Sequence, residues 1–198
     1  MSKTLKHDLK AHALLEKGME LLWSKGYNAT SVNDIVKIAG IPKGSFYFYF
    51  DSKEDFVVKA LDKYFSIMFT PANDILENKS ISPKQRLLDF HEYRINVLKN
   101  EMDCKMGCMA CNIGSEMAEH NEKIRTTILA KEEMILSKIT NVIQEAQDLG
   151  EIENPMKASD IAAFIEDAGK GAMVSMKEMK SSYPIDNVYN MIKNILLK

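Results

Sequence analysis

The stretch Ile41-Pro42-Lys43-Gly44-Ser45-Phe46-Tyr47-Phe48-Tyr49-Phe50-Asp51-Ser52-Lys53 sets an unbroken aromatic run between two lysines. Pro42 presets the backbone for a first helical turn, where its missing N–H costs nothing. Lys43, Gly44 and Ser45 then stand at the N-terminal end of a short helix. Phe46, Tyr49 and Phe50 fall at offsets 0, 3 and 4 and share one face, which can be buried. Lys43, Ser45 and Tyr47 lie on the other side, and Phe48 also points away from the anchoring face. A helix built this way holds on by one side and presents the other.

The residues just upstream give this stretch a partner. Val32, Ile35, Val36 and Ala39 repeat at 0, 3, 4 and 7, one helical face. Ser31 with Asp34 three residues on reads as a capping box, and Gly40 as a left-handed helix end. Two short helices meeting at a glycine corner make the helix-turn-helix layout. In that layout the second helix enters the major groove by its N-terminal residues.

Residues 29–55, from Ala-Thr-Ser-Val-Asn-Asp through Phe-Asp-Ser-Lys-Glu-Asp, resemble the DNA-binding signature of TetR-type transcriptional repressors. The likeness extends upstream through Leu14-Leu15 and Lys25-Gly26-Tyr27, covering about the first third of the chain. It implies an N-terminal helix-turn-helix domain, here residues 1–50, and a helical ligand-binding and dimerisation domain, residues 51–198. It also implies that Thr30, Ser31, Lys43, Gly44, Ser45, Tyr47, Tyr49 and Lys53 face DNA. Lys43 and Ser45 are placed for base edges and Gly44 for close backbone approach. Thr30, Tyr47, Tyr49 and Lys53 are placed for phosphates, which position a protein without specifying sequence. Phe48 departs from the family, where a polar residue is common, and cannot donate to a phosphate. The spacing of Tyr49 from Phe46 also allows it a core role.

Bulk properties agree. With 198 residues, 45% of them hydrophobic, the chain can bury a real core. Its net charge of −2 argues against a generic polyanion binder. Lys3, Lys6, Lys10, Lys17, Lys25, Lys37 and Lys43 outnumber the acids of residues 1–50, and the remainder is acidic. A basic head on an acidic body suits local DNA reading. No apolar run has the length of a membrane span, and Met1-Ser2-Lys3 leads straight into a polar helix, so the expected location is the cytoplasm.

The rest of the chain reads as all-α, about nine helices in total. The first, 4–25, carries Leu14, Gly18, Leu21 and Leu22 on one face and ends at Lys25-Gly26. Ser52-Lys53-Glu54-Asp55 offers a second capping box, opening a helix to about Thr70 that links head to body. Pro71 is expected to end or kink it. Further helices follow at about 83–100, 107–118, 121–148, 157–179 and 184–197. The last two carry apolar stripes, Ile161, Ile165, Ala168, Ala172 and Met176, then Val188, Met191, Ile192, Ile195 and Leu196. Part of these stripes is expected in the core and part in a homodimer interface, the arrangement the resemblance also implies.

Cys104, Cys108 and Cys111 would put three sulfurs on one face if residues 104–111 were a continuous helix. Four readings stay open: a soft-metal or As(III) site, a redox or electrophile switch, an organic-ligand pocket, or plain packing. Gly107-Cys108-Met109-Ala110-Cys111-Asn112 resembles a Gly-Cys-x-x-x-Asn segment of one branch of the family, which implies a cysteine response to electrophiles in some members. Candidates for a small-molecule effector site are Phe90, Tyr93, Met106, Cys108, Cys111, Asn112, Phe164 and Met173. His91, near Tyr93 and Arg94, could reach a ligand or be a satisfied structural histidine. No phosphate-binding glycine loop, H-E-x-x-H or G-x-S-x-G occurs, so no catalytic residue, cofactor or metal ligand is assigned. A cysteine nucleophile, Cys108 or Cys111, paired with a distant His is the best enzymatic alternative.

The sequence therefore predicts a ligand-responsive DNA-binding regulator, a repressor released by a small apolar molecule. It would dimerise through its last two helices on a near-palindromic double-stranded operator, with half-sites about 34–36 Å apart or a multiple of that. The alternatives are a thiol or soft-metal sensor and a helical protein-interaction module.

Overall fold

The computed structural model describes residues 3–198, with side chains from residue 11 onward. The side chains of Lys3, Lys6, His7 and Lys10 lie outside the described residues. Among the described residues there are eight α-helices and no strand. They are α1 (Lys3–Lys25), α2 (Val32–Ala39), α3 (Lys53–Glu77), α4 (Pro83–Asn96), α5 (Met109–Met117), α6 (Glu122–Asp148), α7 (Ala158–Met179) and α8 (Tyr183–Met191). No helix among them is long and apolar enough to cross a membrane.

Two compact units form. One takes Met1–Ser66 and Met109–Leu129, the other Ile67–Cys108 and Ala130–Lys198. The first unit thus extends past residue 50 and recruits α5 and the start of α6. Its core gathers Leu14, Leu22, Ile35, Phe46, Phe56, Val57 and Leu61, each at most 1% exposed. Gly18 lets α1 approach closely. A Cβ there would lie 2.5 Å from Phe56 Cζ and 2.9 Å from Ile35 Cγ2. Phe46, Phe50 and Phe56 form an aromatic cluster, with ring centroids 4.9–5.7 Å apart.

In the second unit the buried side of α7 includes Ile161, Ile165, Ala172 and Met176, as the stripe predicted. Leu98, Ala172, Met176 and Ile185 form one cluster, with Met102, Cys104, Met173 and Val188 packed against it. The final stripe divides: Ile192 is buried while Met191 and Ile195 are exposed. Arg86, 1% exposed, is held by its Nη1 donating to the Leu76 carbonyl at 2.8 Å and by Nη2 2.7 Å from Glu145 Oε1.

The structure sharpens three local readings. Pro71 does not end α3, which continues to Glu77. Ile67 and Pro71 both lie on the exposed face, where water can satisfy the carbonyl Pro71 leaves unpaired, while Phe69, Ala72 and Leu76 stay buried. The second helix of the helix-turn-helix is only a 3₁₀ turn, Lys43–Ser45, followed by further turns to residue 49. Its bonds run Ser45 N–H to Pro42 O (2.9 Å) and Phe46 N–H to Lys43 O (3.1 Å). Gly44 and Ser45 followed by five aromatics have low helix propensity, so burial of Phe46 and Phe50 sets this shape instead. Finally, residues 104–111 are not one helix. Asp103, Cys104 and Gly107 have φ of 48°, 56° and 64°, and α5 starts only at Met109.

Candidate nucleic-acid interface

Ser31 opens α2 in extended backbone, and its Oγ accepts the Asp34 N–H at 3.2 Å. Asp34 Oδ2 in turn accepts from the Ser31 N–H at 2.9 Å, completing the capping box. The Ser31 hydroxyl also donates to Asp34 Oδ2 at 2.6 Å, and this bond first, then the one from the Ser31 N–H, holds the Asp34 carboxyl below the ordinary aspartate range. Gly40, at φ 70°, closes the helix, and its N–H bonds to the Lys37 carbonyl. Left-handed backbone of this kind suits glycine.

Beyond this corner Pro42 leads into the Lys43–Ser45 turn. Lys43 and Gly44 are exposed and Ser45 is half-buried. Phe46 and Phe50, 0% and 4% exposed, anchor the turn, while Tyr47 and Phe48 stand out at 56% and 71%. Tyr49 is half-buried, between the phosphate and core roles. No Cβ built on Gly44 meets any atom within 4 Å, so this surface is open to a partner.

Lys53 begins α3, and its Nζ donates to the Tyr27 carbonyl at 2.7 Å while lying 3.7 Å from the Tyr27 ring centroid. Burial lowers its pKa from the usual lysine value. The Tyr27 hydroxyl donates to Glu54, which lowers the Glu54 pKa. Ser52 Oγ accepts the Asp55 N–H at 3.1 Å, as the second Ser-x-x-Asp predicted. The reciprocal Asp55 contact reaches Asp51 N–H, one residue earlier than a capping box requires.

Thr30 corrects the predicted DNA set. It is fully buried, and its Oγ1 donates to the Gly26 carbonyl at 2.7 Å. That hydroxyl ties off the end of α1 and is not available to a phosphate. A residue absent from the predicted set takes part in placing the interface: Glu116 of α5 accepts the Tyr27 N–H (3.1 Å, Oε1) and the Asn28 N–H (2.7 Å, Oε2). A partner 88 or 89 positions away has no local signature.

The eight predicted effector residues do not share a unit. Phe90, Tyr93, Met106, Cys108, Phe164 and Met173 belong to the second, Cys111 and Asn112 to the first. Phe90 is buried, Tyr93, Met106, Cys108 and Met173 are half-buried or more exposed, and Phe164 is 58% exposed. Asn112 Nδ2 donates to the Trp23 carbonyl at 3.4 Å. Cys104 packs in the Leu98 cluster, and the cysteines form no disulfide. Among the described residues no three His, Cys, Asp or Glu side chains come together as a metal site.

An anchored, lysine-bearing turn behind a capped supporting helix is how a helix-turn-helix protein meets a duplex. Residues 14–60 match the model of the bacterial regulatory proteins of the tetR family, and residues 83–192 match that of the tetracyclin repressor-like C-terminal domain. The chain belongs to the TetR family of transcriptional regulators. The HTH-type transcriptional repressor DhaR of Mycobacterium sp. (strain GP1) is 30% identical over 184 residues, covering 93% of this chain and 90% of DhaR. The HTH-type transcriptional repressor NemR of Escherichia coli (strain K12) is 23% identical over 199 residues, covering 99% of this chain and 98% of NemR. A regulatory protein TetR from Rhodobacter sphaeroides shares the fold with a TM-score of 0.85 at 25% identity, over 93% of this chain and 97% of its own.

Proposed function

We propose that this protein is a homodimeric cytoplasmic repressor that leaves a near-palindromic operator when a small, largely apolar molecule occupies its second unit. Lys43 and Ser45 read base edges, and Gly44 lets the backbone come close. Tyr47, Tyr49 and Lys53 meet phosphates, and Ser31 faces the duplex. The observation that carries this reading is the contrast within the aromatic run: Phe46 and Phe50 are buried while Lys43, Gly44 and Tyr47 are exposed. A surface turn bearing a lysine and a tyrosine has no structural need of them.

Dimerisation is supported by apolar side chains left exposed on and beside α7 and α8, among them Phe164, Val174, Met179, Met191 and Ile195. Effector binding favours a head separation that no longer fits the operator. By linkage, operator binding weakens the effector by the same factor. The test is operator affinity by fluorescence anisotropy. Lys43→Ala should cost about 1–3 kcal/mol of specific binding with an unchanged melting temperature. A collapse in stability would make Lys43 a structural residue and overturn the reading.

A thiol switch is the second reading. Escherichia coli NemR, one of the structural neighbours, has been solved in a reduced form, with a TM-score of 0.84 at 22% identity. Here Cys104 sits in left-handed backbone, and Cys104, Cys108 and Cys111 are all half-buried, within reach of small reagents. Operator release by diamide that survives in Cys104→Ser, Cys108→Ser and Cys111→Ser would eliminate it.

A further inference from the structure

Two buried side chains of the second unit carry an atom without a hydrogen-bond partner, Arg86 at Nε and His91 at Nε2, and only the Arg86 head is otherwise held, by Leu76 and Glu145. His91 is 4% exposed, and its Nε2 is buried with no hydrogen-bond partner. A buried polar atom left unmatched is destabilising, so its presence calls for an explanation. The Phe90 ring lies edge-on to the imidazole, centroids 5.0 Å apart, and Phe69 lies 6.3 Å from Phe90. Arg94, three residues along α4, grips Glu166 of α7 with both terminal nitrogens, at 2.5 and 3.2 Å. Exposure falls from the Arg94 side chain (33%) through that of Glu166 (15%) to His91, so the group runs from rim to interior.

The charges of this cluster already balance. Arg94 and Glu166 cancel, and burial keeps the imidazole neutral, with a pKa lowered to about 3. Burial works against the Glu166 charge, but Arg94 outweighs it and holds the carboxyl below the ordinary glutamate range. A ligand bringing its own charge would add an unpaired ion to a buried site, which is costly. A wholly apolar ligand would leave Nε2 unmatched. An uncharged oxygen meets both conditions. A hydroxyl can donate to or accept from Nε2, and a carbonyl can accept when Nε2 carries the proton.

We propose that His91 Nε2 is the polar contact for the effector, and that the effector is a small, uncharged, mostly apolar molecule carrying one hydroxyl or carbonyl oxygen beside Phe90. This rests on the effector-released repressor reading and adds its ligand class. The test uses the full chain and four probes of similar size: ethylbenzene, 1-phenylethanol, acetophenone and phenylacetate. Calorimetric titration should rank the alcohol and ketone above the hydrocarbon and the carboxylate. His91→Phe should weaken the alcohol and ketone roughly three- to tenfold, the range of one net hydrogen bond, and leave ethylbenzene unchanged. His91→Gln, which keeps a polar head, should restore part of the difference. Should H91F not fold, the wild-type His91 Nε2 resonance decides, shifting with 1-phenylethanol and not with ethylbenzene. Equal ranking in wild type and H91F, tightest binding of phenylacetate, or no binding by any probe would overturn the proposal and leave Nε2 to an ordered water. Operator anisotropy separates the two levels. Probes that bind through His91 without freeing DNA sink the release mechanism alone. Probes that free DNA without regard to His91 sink this inference alone.

Discussion

Glu116 holds the backbone of Tyr27, its Oε1 accepting the Tyr27 N–H at 3.1 Å, and the adjacent Asn28 N–H reaches its other oxygen at 2.7 Å. One carboxylate on α5 thereby fixes the link between α1 and α2. Gly26 belongs to the same arrangement: at φ 82° it leaves room where a Cβ would collide with Glu116 Oε1. Glu116→Ala should destabilise the chain by about 1–3 kcal/mol, the range for losing charge-assisted bonds to backbone N–H groups. It should also weaken operator binding, since Tyr27 carries the Lys53 contact. Urea denaturation beside operator titration checks both. Unchanged stability would show the clamp to be dispensable.

Thr30 and Ser31 are neighbours, one buried and one exposed. Thr30→Val keeps the shape and removes the buried donor to Gly26 O. It should cost about 1 kcal/mol of stability and leave operator affinity unaltered once the folded fraction is taken into account. A selective loss of DNA binding in T30V would return Thr30 to the interface.

Gly18 tests the packing of α1. Gly18→Val would drive side-chain atoms into Phe56 and Ile35, already 2.5 and 2.9 Å from a bare Cβ. Overpacking of this kind costs about 1–3 kcal/mol or more. The melting temperature should fall by several degrees, and operator binding should weaken with the shift of Phe56 against Phe46. A melting temperature equal to wild type would mean that α1 and Phe56 can move apart freely.

His91 predicts a pH dependence. Its folded pKa, about 3, lies below the ordinary histidine value of 6.5. Below pH 6.5 the unfolded chain takes up a proton that the folded chain refuses. Stability therefore falls as pH drops, at up to about 1.4 kcal/mol per pH unit. The window opens at pH 6.5 and runs down toward about pH 3. Chemical denaturation from about neutral pH down to about pH 5 should show this slope, and His91→Phe should flatten it. An H91F profile parallel to wild type would put the proton uptake elsewhere.

What the sequence revealed and what it hid divide by range. The Ser31–Asp34 box, the Gly26 and Gly40 helix ends and the Ser82-Pro83 start rest on residues close together in the chain and could be read directly. So could the buried faces of α1 and α7, through their 3.6-residue period. The inward turn of the Thr30 hydroxyl was hidden because threonine suits a phosphate or a carbonyl equally. Glu116 was hidden by the distance along the chain to Tyr27. The one-face cysteine set held only on condition of a continuous helix, and that condition is not met. Asp103 and Cys104, neither of them glycine, adopt left-handed backbone there. Pro71 does not stop α3, because buried Phe69, Ala72 and Leu76 hold the helix on either side of it.

In the Lys43–Ser45 turn, the residues that keep the shape are not the ones proposed to meet the duplex. Phe46 and Phe50 fasten it from below, and substitutions on the open side of such a surface usually shift stability by no more than about 0.5 kcal/mol. On the proposed reading, Lys43 and Gly44, both on the open side, can therefore change to suit a new promoter while the scaffold stays as it is.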